Sequence, residues 1–478
     1  MPLLLLPSLQ RLPGLECLHC YGLTVTAAQA NSDAEAQPAE APAAADAAPA
    51  APLLPLELSP ATALTHLQLY SCDVTVQGLA ALTRLQGLTL GGHLELNLPD
   101  AVTTNFSTEL QQALPQLQAL RFLRLFGKVA HDDILQHVSS LPRLQDLTLV
   151  DGMFTLASFQ QLPQSLTQLS IEWAASNTTS RKLSVSSAPG VCALTGLQEL
   201  TVRAGGVSIE VLANMTLMKR LDLQQAELDR PGTMSVLTAL TQLTYMSLPL
   251  IDADMVMLSN ADAAAVRASA QLVELDLSES GLMGYRGQHI FAANRQLTKL
   301  TKLHVSLDLV HDGRSASRVA SCCPNLVSIY LGPNKEDDWV APDDDFVSSD
   351  LASMLVRWQP LQHLTSLTLE VQDLPMLPDE WHALARLTRL QELKVSTNKL
   401  EYLAGVLNLT SCTRLKSLLV DANSMEGMMD RVWLDVTGEE VRAGWLQCGV
   451  KLHLRAEAFL QHCIVGHAPD VQCHLLSV

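Results

Sequence analysis

A chain of 478 residues, 48% of them hydrophobic, can bury a large core, and ~150 residues per globular domain would divide it into three. Its formal net charge of -18 and the lack of any basic stripe argue against a protein that grips phosphate backbones. The same charge disfavours an anionic membrane surface, and no apolar run reaches the ~18–20 residues of a spanning helix.

The N-terminal stretch, Met1 to Cys20, holds Leu3 to Leu6 with no basic residue before them. Pro2, Pro7 and Pro13 interrupt it, while Leu9, Leu12, Leu15 and Leu18 keep a three-residue spacing. The segment reads as a truncated repeat rather than a signal peptide. Residues 1–26 are assigned to this first repeat. Residues 27–58 follow as an acidic, Ala- and Pro-rich insertion, expected to be disordered because its stretch from Ala39 to Pro52 lacks bulky residues to offset ordering entropy.

From residue 59 to 425 the pattern L-x-x-L-x-x-L-x-L dominates. Leu82, Leu85, Leu88 and Leu90 form one copy. Leu141, Leu144, Leu147 and Leu149 form a second, and Leu361, Leu364, Leu367 and Leu369 a third. The final pair is two residues apart, as a strand with one buried face requires. Counting the first repeat, the final apolar positions are Cys20, Leu69, Leu90, Leu125, Leu149, Ile171, Val202, Leu223, Leu248, Leu277, Val305, Leu331, Leu369, Val395 and Val420. Most are 21 to 29 residues apart, the period of a leucine-rich repeat, whose units each leave an apolar edge for a neighbour to cover.

The pattern predicts an α/β leucine-rich repeat solenoid, a curved horseshoe with parallel strands on the concave face and irregular helices or loops on the convex face. Val76 to Arg84 and Asp132 to Ser140 read as short return helices. Residues 91–113 and 333–358 read as insertions. The second carries Glu336, Asp337, Asp338, Asp343, Asp344 and Asp345. Consecutive aspartates without glycine do not fit a calcium loop, so a solvated acidic loop is expected. Residues 426–478 read as a capping segment, with Trp433, Trp445 and Phe459 as cover for the last strand.

Some copies resemble a known subtype. Leu67, Leu69, Cys72, Val74, Thr75, Gly78 and Leu79 match the cysteine-containing repeat, and Cys323, Pro324, Leu326, Ile329 and Leu331 resemble its C-P-x-L-x-x-L-x-L form. Leu393, Val395, Asn398 and Leu400 resemble the general form, with Asn334 and Asn423 in the same asparagine slot. The resemblance implies the repeat fold over residues 59 to 425. The cysteine-containing subtype is common in F-box substrate receptors of ubiquitin ligases. Only about fifty residues precede the main array, and they are rich in Ala and Pro, so no F-box is expected there. The G-x-I-P signature of plant receptor repeats is absent. Leucine-rich repeat proteins also serve as docking subunits in ciliary axonemes and cytoskeletal assemblies.

No catalytic constellation is found. There is no phosphate-binding G-x-x-x-x-G-K-[ST] and no G-x-S-x-G nucleophile elbow. Gly91-Gly92 and Gly205-Gly206 read as turn glycines. Cys17-Leu-His-Cys20 lacks the second ligand pair that zinc requires. Cys448, His453, His462, Cys463, His467, Cys473 and His474 match no zinc spacing. No cofactor and no metal are expected. Ten scattered cysteines without a signal peptide suggest reduced thiols. The sequons at Asn105, Asn177, Asn214 and Asn408 matter only in a secreted chain.

The concave face is the expected binding surface. Its outward positions include Cys17, His19 and Tyr21, then His66, Gln68 and Tyr70, then Phe122, Arg124 and Phe126, with Tyr245 and Tyr330 further along. Exposed aromatics and Arg are the usual anchors of protein interfaces. Tyr21, His66, Tyr70, Phe122, Arg124, Phe126, Tyr245 and Tyr330 are therefore the candidate partner-binding residues. The expectation is a non-enzymatic protein-binding scaffold or adaptor in the cytoplasm, with cytoskeleton or ciliary axoneme as its setting. Its partner is another protein, not nucleic acid, membrane or a small substrate. The alternatives are a ubiquitin-ligase substrate receptor without its F-box and an extracellular recognition module.

Overall fold

The computed structural model describes residues 14–21, 55–70, 72, 75–91, 100–152, 154, 156–172, 193–203, 206–207, 209–223, 227–228, 233–248, 260–278, 290–291, 296–310, 313–332, 349–371, 376–397, 408–409, 411–422 and 432–437. It divides into two compact units, Met1–Ala204 and Gly205–Val478.

In the first unit the strands are β1 (Cys17–Tyr21), β2 (Pro55–Glu57), β3 (His66–Tyr70), β4 (Thr75–Gln77), β5 (Gly87–Gly91), β6 (Phe122–Phe126), β7 (Asp146–Val150), β8 (Gln168–Glu172) and β9 (Glu199–Arg203). Seven of them form a parallel sheet in the order β1-β3-β5-β6-β7-β8-β9. The second unit contains β10 (Gly206–Val207), β11 (Arg220–Asp222), β12 (Glu227–Leu228), β13 (Tyr245–Ser247), β14 (Glu274–Leu277), β15 (Lys302–Ser306), β16 (Ser328–Gly332), β17 (Ser366–Glu370), β18 (Glu392–Thr397), β19 (Ser417–Ala422) and β20 (Val432–Thr437). There the main ladder runs β11-β13-β14-β15-β16-β17-β18-β19, all parallel, and β20 closes its edge antiparallel to β19. This is a leucine-rich repeat fold. Each of the fifteen copies read from the leucine spacing contributes one strand of a parallel ladder.

The spacing has a direct structural cause. The three-residue step ahead of each strand is a turn: Leu85 N–H donates to Leu82 O, Leu144 to Leu141 O, and Leu364 to Leu361 O, at 2.9 to 3.3 Å. The two-residue step is the strand itself, with Leu88 and Leu90, or Leu123 and Leu125, turned into the core. One carbonyl per repeat then pins the register. Glu16 O accepts from both Thr65 N and His66 N, Thr65 O from Gln86 and Gly87, and Gln86 O from Arg121 and Phe122. The same double acceptance recurs in the second unit at Lys219 O, Thr244 O, Val273 O, Thr301 O, Val327 O and Thr365 O. Threonine favours this slot because its hydroxyl donates to the same carbonyl. Thr65, Thr167, Thr244 and Thr301 do so at 3.0 to 3.3 Å.

Helices lie between strands: Asp100–Ala113 and Asp132–Val138 in the first unit; Asn260–Ala268, Gly313–Cys322, Ser349–Arg357 and Pro378–Ala385 in the second. The Asp132–Val138 helix matches its expected position and buries Ile134, Leu135 and Val138. Val76 to Arg84 does not form the expected helix. Thr75–Gln77 is a strand paired in parallel with Pro55–Glu57, and only Leu79–Ala81 takes a 3-10 turn. The apolar stripe serves both arrangements, since Leu56, Leu58, Val76 and Leu79 are all buried. Pro55–Glu57, inside the span that composition assigns to the insertion, is therefore a strand. The long gaps at 91–113 and 333–358 hold helices that bury Val102, Phe106 and Leu110, and Leu351, Met354 and Leu355. They are lengthened return paths. The Ala/Pro segment before Pro55, the acidic run from Glu336 to Asp345, the asparagine slots and the C-terminal Cys/His residues lie outside the described residues.

Cysteine stands in the asparagine slot after Leu69. Cys72 is buried, and its Sγ donates to Cys20 O at 3.3 Å and to Tyr70 O at 3.4 Å. Cys322, Cys323 and Cys412 are buried and in no disulfide.

Candidate protein-binding faces

Alternation along the strands sends His66, Gln68 and Tyr70 to the side opposite Leu67 and Leu69. Residues at one register position then form a row across the first unit. One row runs Cys17, His66, Gly87, Phe122 and Asp146; the next runs His19, Gln68, Thr89, Arg124 and Thr148. Six of the candidate residues, Tyr21, His66, Tyr70, Phe122, Arg124 and Phe126, are gathered on this face.

Tyr21, 66% exposed, stands 6.0 Å from Tyr70, centroid to centroid, and its hydroxyl donates to Gln68 Oε1 at 2.8 Å. Tyr70 meets Phe126 edge to face at 5.1 Å and 88°. The two are separated by β5, and Gly91 makes their contact feasible. Its φ is +122°, and a Cβ there would lie 2.4 Å from Phe126 O and 2.9 Å from Phe126 Cβ. Gly87, at the other end of β5, lies under the His66 ring, where a Cβ would come within 2.7 Å of Cδ2. The outward positions of β5 are thus Gly, Thr, Gly, and the aromatics of β3 and β6 lean over it. Gly91 is a strand residue, not the turn glycine expected, and the dipeptide Gly91-Gly92 gave no hint of the ring beside it.

Phe122, 40% exposed, marks the open end of this cluster. Arg124 is exposed and its Nη2 approaches Asp146 Oδ2 at 3.5 Å. Burial, then the nearby Asp151 and Tyr21, pushes the Tyr70 hydroxyl above its ordinary value, so it stays a neutral donor at physiological pH. The chemistry available is apolar and aromatic contact bordered by a guanidinium. Cys17 Sγ lies 4.0 Å from His66 Nδ1 on the same face.

Tyr245 and Tyr330 belong to the second unit and have different environments. Tyr245 is 8% exposed, because the Arg220 guanidinium sits 3.4 Å from its ring centroid. Tyr245 was expected as an exposed anchor; the stacked arginine buries it instead. Tyr330 is half-buried and its hydroxyl donates to Glu370 Oε2 at 2.6 Å. That bond passes over Gly332, where a Cβ would lie 2.7 Å from Tyr330 Cε1. Lys394 Nζ takes the other oxygen, Glu370 Oε1, at 3.0 Å. His304 lies 5.4 Å from the Tyr330 ring and 3.7 Å from Asp276 Oδ2. The second strand face is thus a polar, charge-paired chain where the first is aromatic. Sequence reading missed it because acidic and basic residues at outward positions look like ordinary solvated charge.

The sequon at Asn105 is structural, since its Oδ1 accepts from Val76 N–H at 2.6 Å. Cys17 and Cys20 sit on one strand with Cys20 half-buried. No three His, Cys, Asp or Glu side chains among the described residues are arranged to hold a metal.

No protein-family model matches this chain, and no curated protein matches it. Among solved structures it is similar to an internalin, InlF, from Listeria monocytogenes. The identity is 21%, the TM-score 0.46, and the match covers 74% of this chain and 86% of that one. It is also similar to the functional domain of InlJ from Listeria monocytogenes, which includes a cysteine ladder. There the identity is 16%, the TM-score 0.41, and coverage 85% and 73%. A third is TLR13 in complex with ssRNA13, at 16% identity and TM-score 0.44, covering 78% of this chain and 51% of that one.

Proposed function

We propose that the chain is a non-enzymatic scaffold that binds another protein through the strand face of its first unit. One observation carries this reading: Tyr21, Tyr70, Phe126 and Phe122 lie on one face, with Tyr21 66% and Phe122 40% exposed. Aromatic side chains bring large contact area at low entropic cost and dominate interface energetics. Arg124 and His66 supply the polar border that such patches carry. The setting we propose is the cytoplasm, at cytoskeleton or axoneme. Buried cysteines outside any disulfide at Cys72, Cys322, Cys323 and Cys412 support a reducing compartment.

Affinity capture from native lysate with wild type and with a Tyr70→Ala, Phe122→Ala, Phe126→Ala variant tests the reading. The wild type should retain a specific partner. The variant should lose it while still folded, since truncating interface anchors costs ~2 kcal/mol or more each. Equal retention by both would overturn the site. Recovery of ubiquitin-ligase subunits would replace the scaffold reading with the substrate-receptor one.

A further inference from the structure

The turn ahead of each strand carries one residue just before the leucine whose N–H closes it. In the repeats of β15 to β19 that residue is Lys299, Asn325, His363, Arg389 and Arg414, all exposed. In the first unit the same position holds Ala63, Arg84, Ala119, Arg143, Ser165 and Gly196, so the turn itself does not demand a cation. Two more exposed cations join the row: Arg386, at the end of the helix Pro378–Ala385, and Lys416, just before β19. The turns are laced to one another. Asn325 Nδ2 donates to Thr298 O at 2.8 Å, Arg389 Nη1 donates to Gln362 O, and Ser411 Oγ donates to Ala385 O at 2.7 Å. The cations are spread over residues 299–416 in the chain, so they form a row only once the repeats stack.

The charge of this row is not neutralised. Lys299, Arg389 and Lys416 each donate to a neutral oxygen of the preceding repeat, Gln271 Oε1, Gln362 O and Gln391 Oε1. Neither these three nor Arg386 and Arg414 meet a carboxylate among the described residues. On the strand face of the same unit, Lys302 is paired with Glu274 and Lys394 with Glu370. With 31 Lys and Arg against 49 Asp and Glu, carboxylates are in excess, so five exposed cations without one are not a matter of supply. The adjoining outward positions hold Lys302, Ser328, Ser366, Glu392 and Ser417, with Glu392 the one carboxylate at the border.

Such a row suits an anionic partner. Strands stand ~4.8 Å apart, so five successive turns span ~19 Å, the length of about six extended residues. Guanidinium forks match carboxylates in a bidentate way. Proteins that hold single-stranded nucleic acid add aromatic rings on which bases stack. Here Val327 is the one exposed large apolar side chain described, and no aromatic ring accompanies it. The net charge of -18 repels a long polyanion, whereas a short acidic segment can lie within the ~8 Å screening distance of the row.

We propose that this row of turns docks an acidic, extended segment of a partner protein, whose carboxylates pair with Arg386, Arg389, Arg414 and Lys416. It is a second docking surface, independent of the aromatic face of the first unit.

Fluorescence anisotropy with a labelled peptide of six glutamates between glycines tests this on the full chain. Wild type is compared with Arg389→Gln/Arg414→Gln, with Arg386→Gln/Lys416→Gln, and with Arg84→Gln/Arg314→Gln, which removes the same charge from exposed positions outside the row. Wild type should bind, and more weakly as salt rises. Each of the first two variants should weaken binding at least ~10-fold, through lost charge-assisted hydrogen bonds, and melt as wild type does. If one of them melts lower, the other carries the test alone. The third variant should change affinity less than ~2-fold, since distant charges are screened. No binding by wild type, equal weakening in all three variants, or tighter binding of a single-stranded RNA of equal charge would each overturn the proposal. A Tyr70→Ala, Phe122→Ala, Phe126→Ala variant should bind the peptide as wild type does. Loss of peptide binding in that variant would contradict a separate second surface.

Discussion

At the scale of single residues, neighbours on one strand have opposite tasks. Leu123 and Leu125 are fully buried, while Phe122 and Arg124 between and beside them face out. Leu123→Ala should therefore leave a cavity and cost ~2–5 kcal/mol of stability. Phe122→Ala should stay within ~0.5 kcal/mol of wild type, as surface changes usually do. Denaturant midpoints of the two variants check this. Similar midpoints would mean that the face assignment is wrong. The contact between Tyr70 and Phe126 has a further role. Edge-to-face pairs add ~0.5–1.5 kcal/mol beyond the area they bury, which holds the candidate anchors in place before any partner arrives.

At the scale of elements, β5 shows how a strand shapes a surface by omission. With Gly87 and Gly91 outward, the rings of β3 and β6 occupy space a side chain would fill. Gly91→Ala should displace Phe126 and impose backbone strain of order 1–3 kcal/mol at φ +122°. A lowered melting temperature together with weakened partner binding is expected. Unchanged values for both would deny Gly91 this role. The strands themselves were legible, because Leu88 and Leu90 or Leu367 and Leu369 can only be two apart in a strand with one buried face. Val76 to Arg84 was misread for a physical reason. The apolar residues Val76 and Leu79 suit a helix stripe and also a short strand that pairs with Pro55–Glu57, and only the long-range partner decides. Insertions at 91–113 and 333–358 hid helices because Phe106, Met354 and their neighbours fall outside the leucine pattern. In the candidate site the outward aromatics of β3 and β6 were legible from alternation. The burial of Tyr245 was not, because it depends on Arg220, a residue of the preceding repeat, stacking on its ring.

At the scale of the whole molecule, each repeat contacts its neighbours, and stability is set by those interfaces rather than by one central core. The two units have strand faces of different character. The first is aromatic, around Tyr70 and Phe126. The second is polar, with Glu370 held by Tyr330 and Lys394 and with buried carboxylates at Asp222 and Asp276. A scaffold built this way presents separate chemistries on one chain. The claim that the first unit binds through its strand face is tested most directly by hydroxyl-radical footprinting of the chain, alone and with its captured partner. The account predicts that Tyr21, Tyr70, Phe122 and Phe126 lose reactivity in the complex, while the helices Asp100–Ala113 and Asp132–Val138, His137 among them, react as before. Protection confined to those helices, with the four rings as reactive as in the free chain, would contradict it.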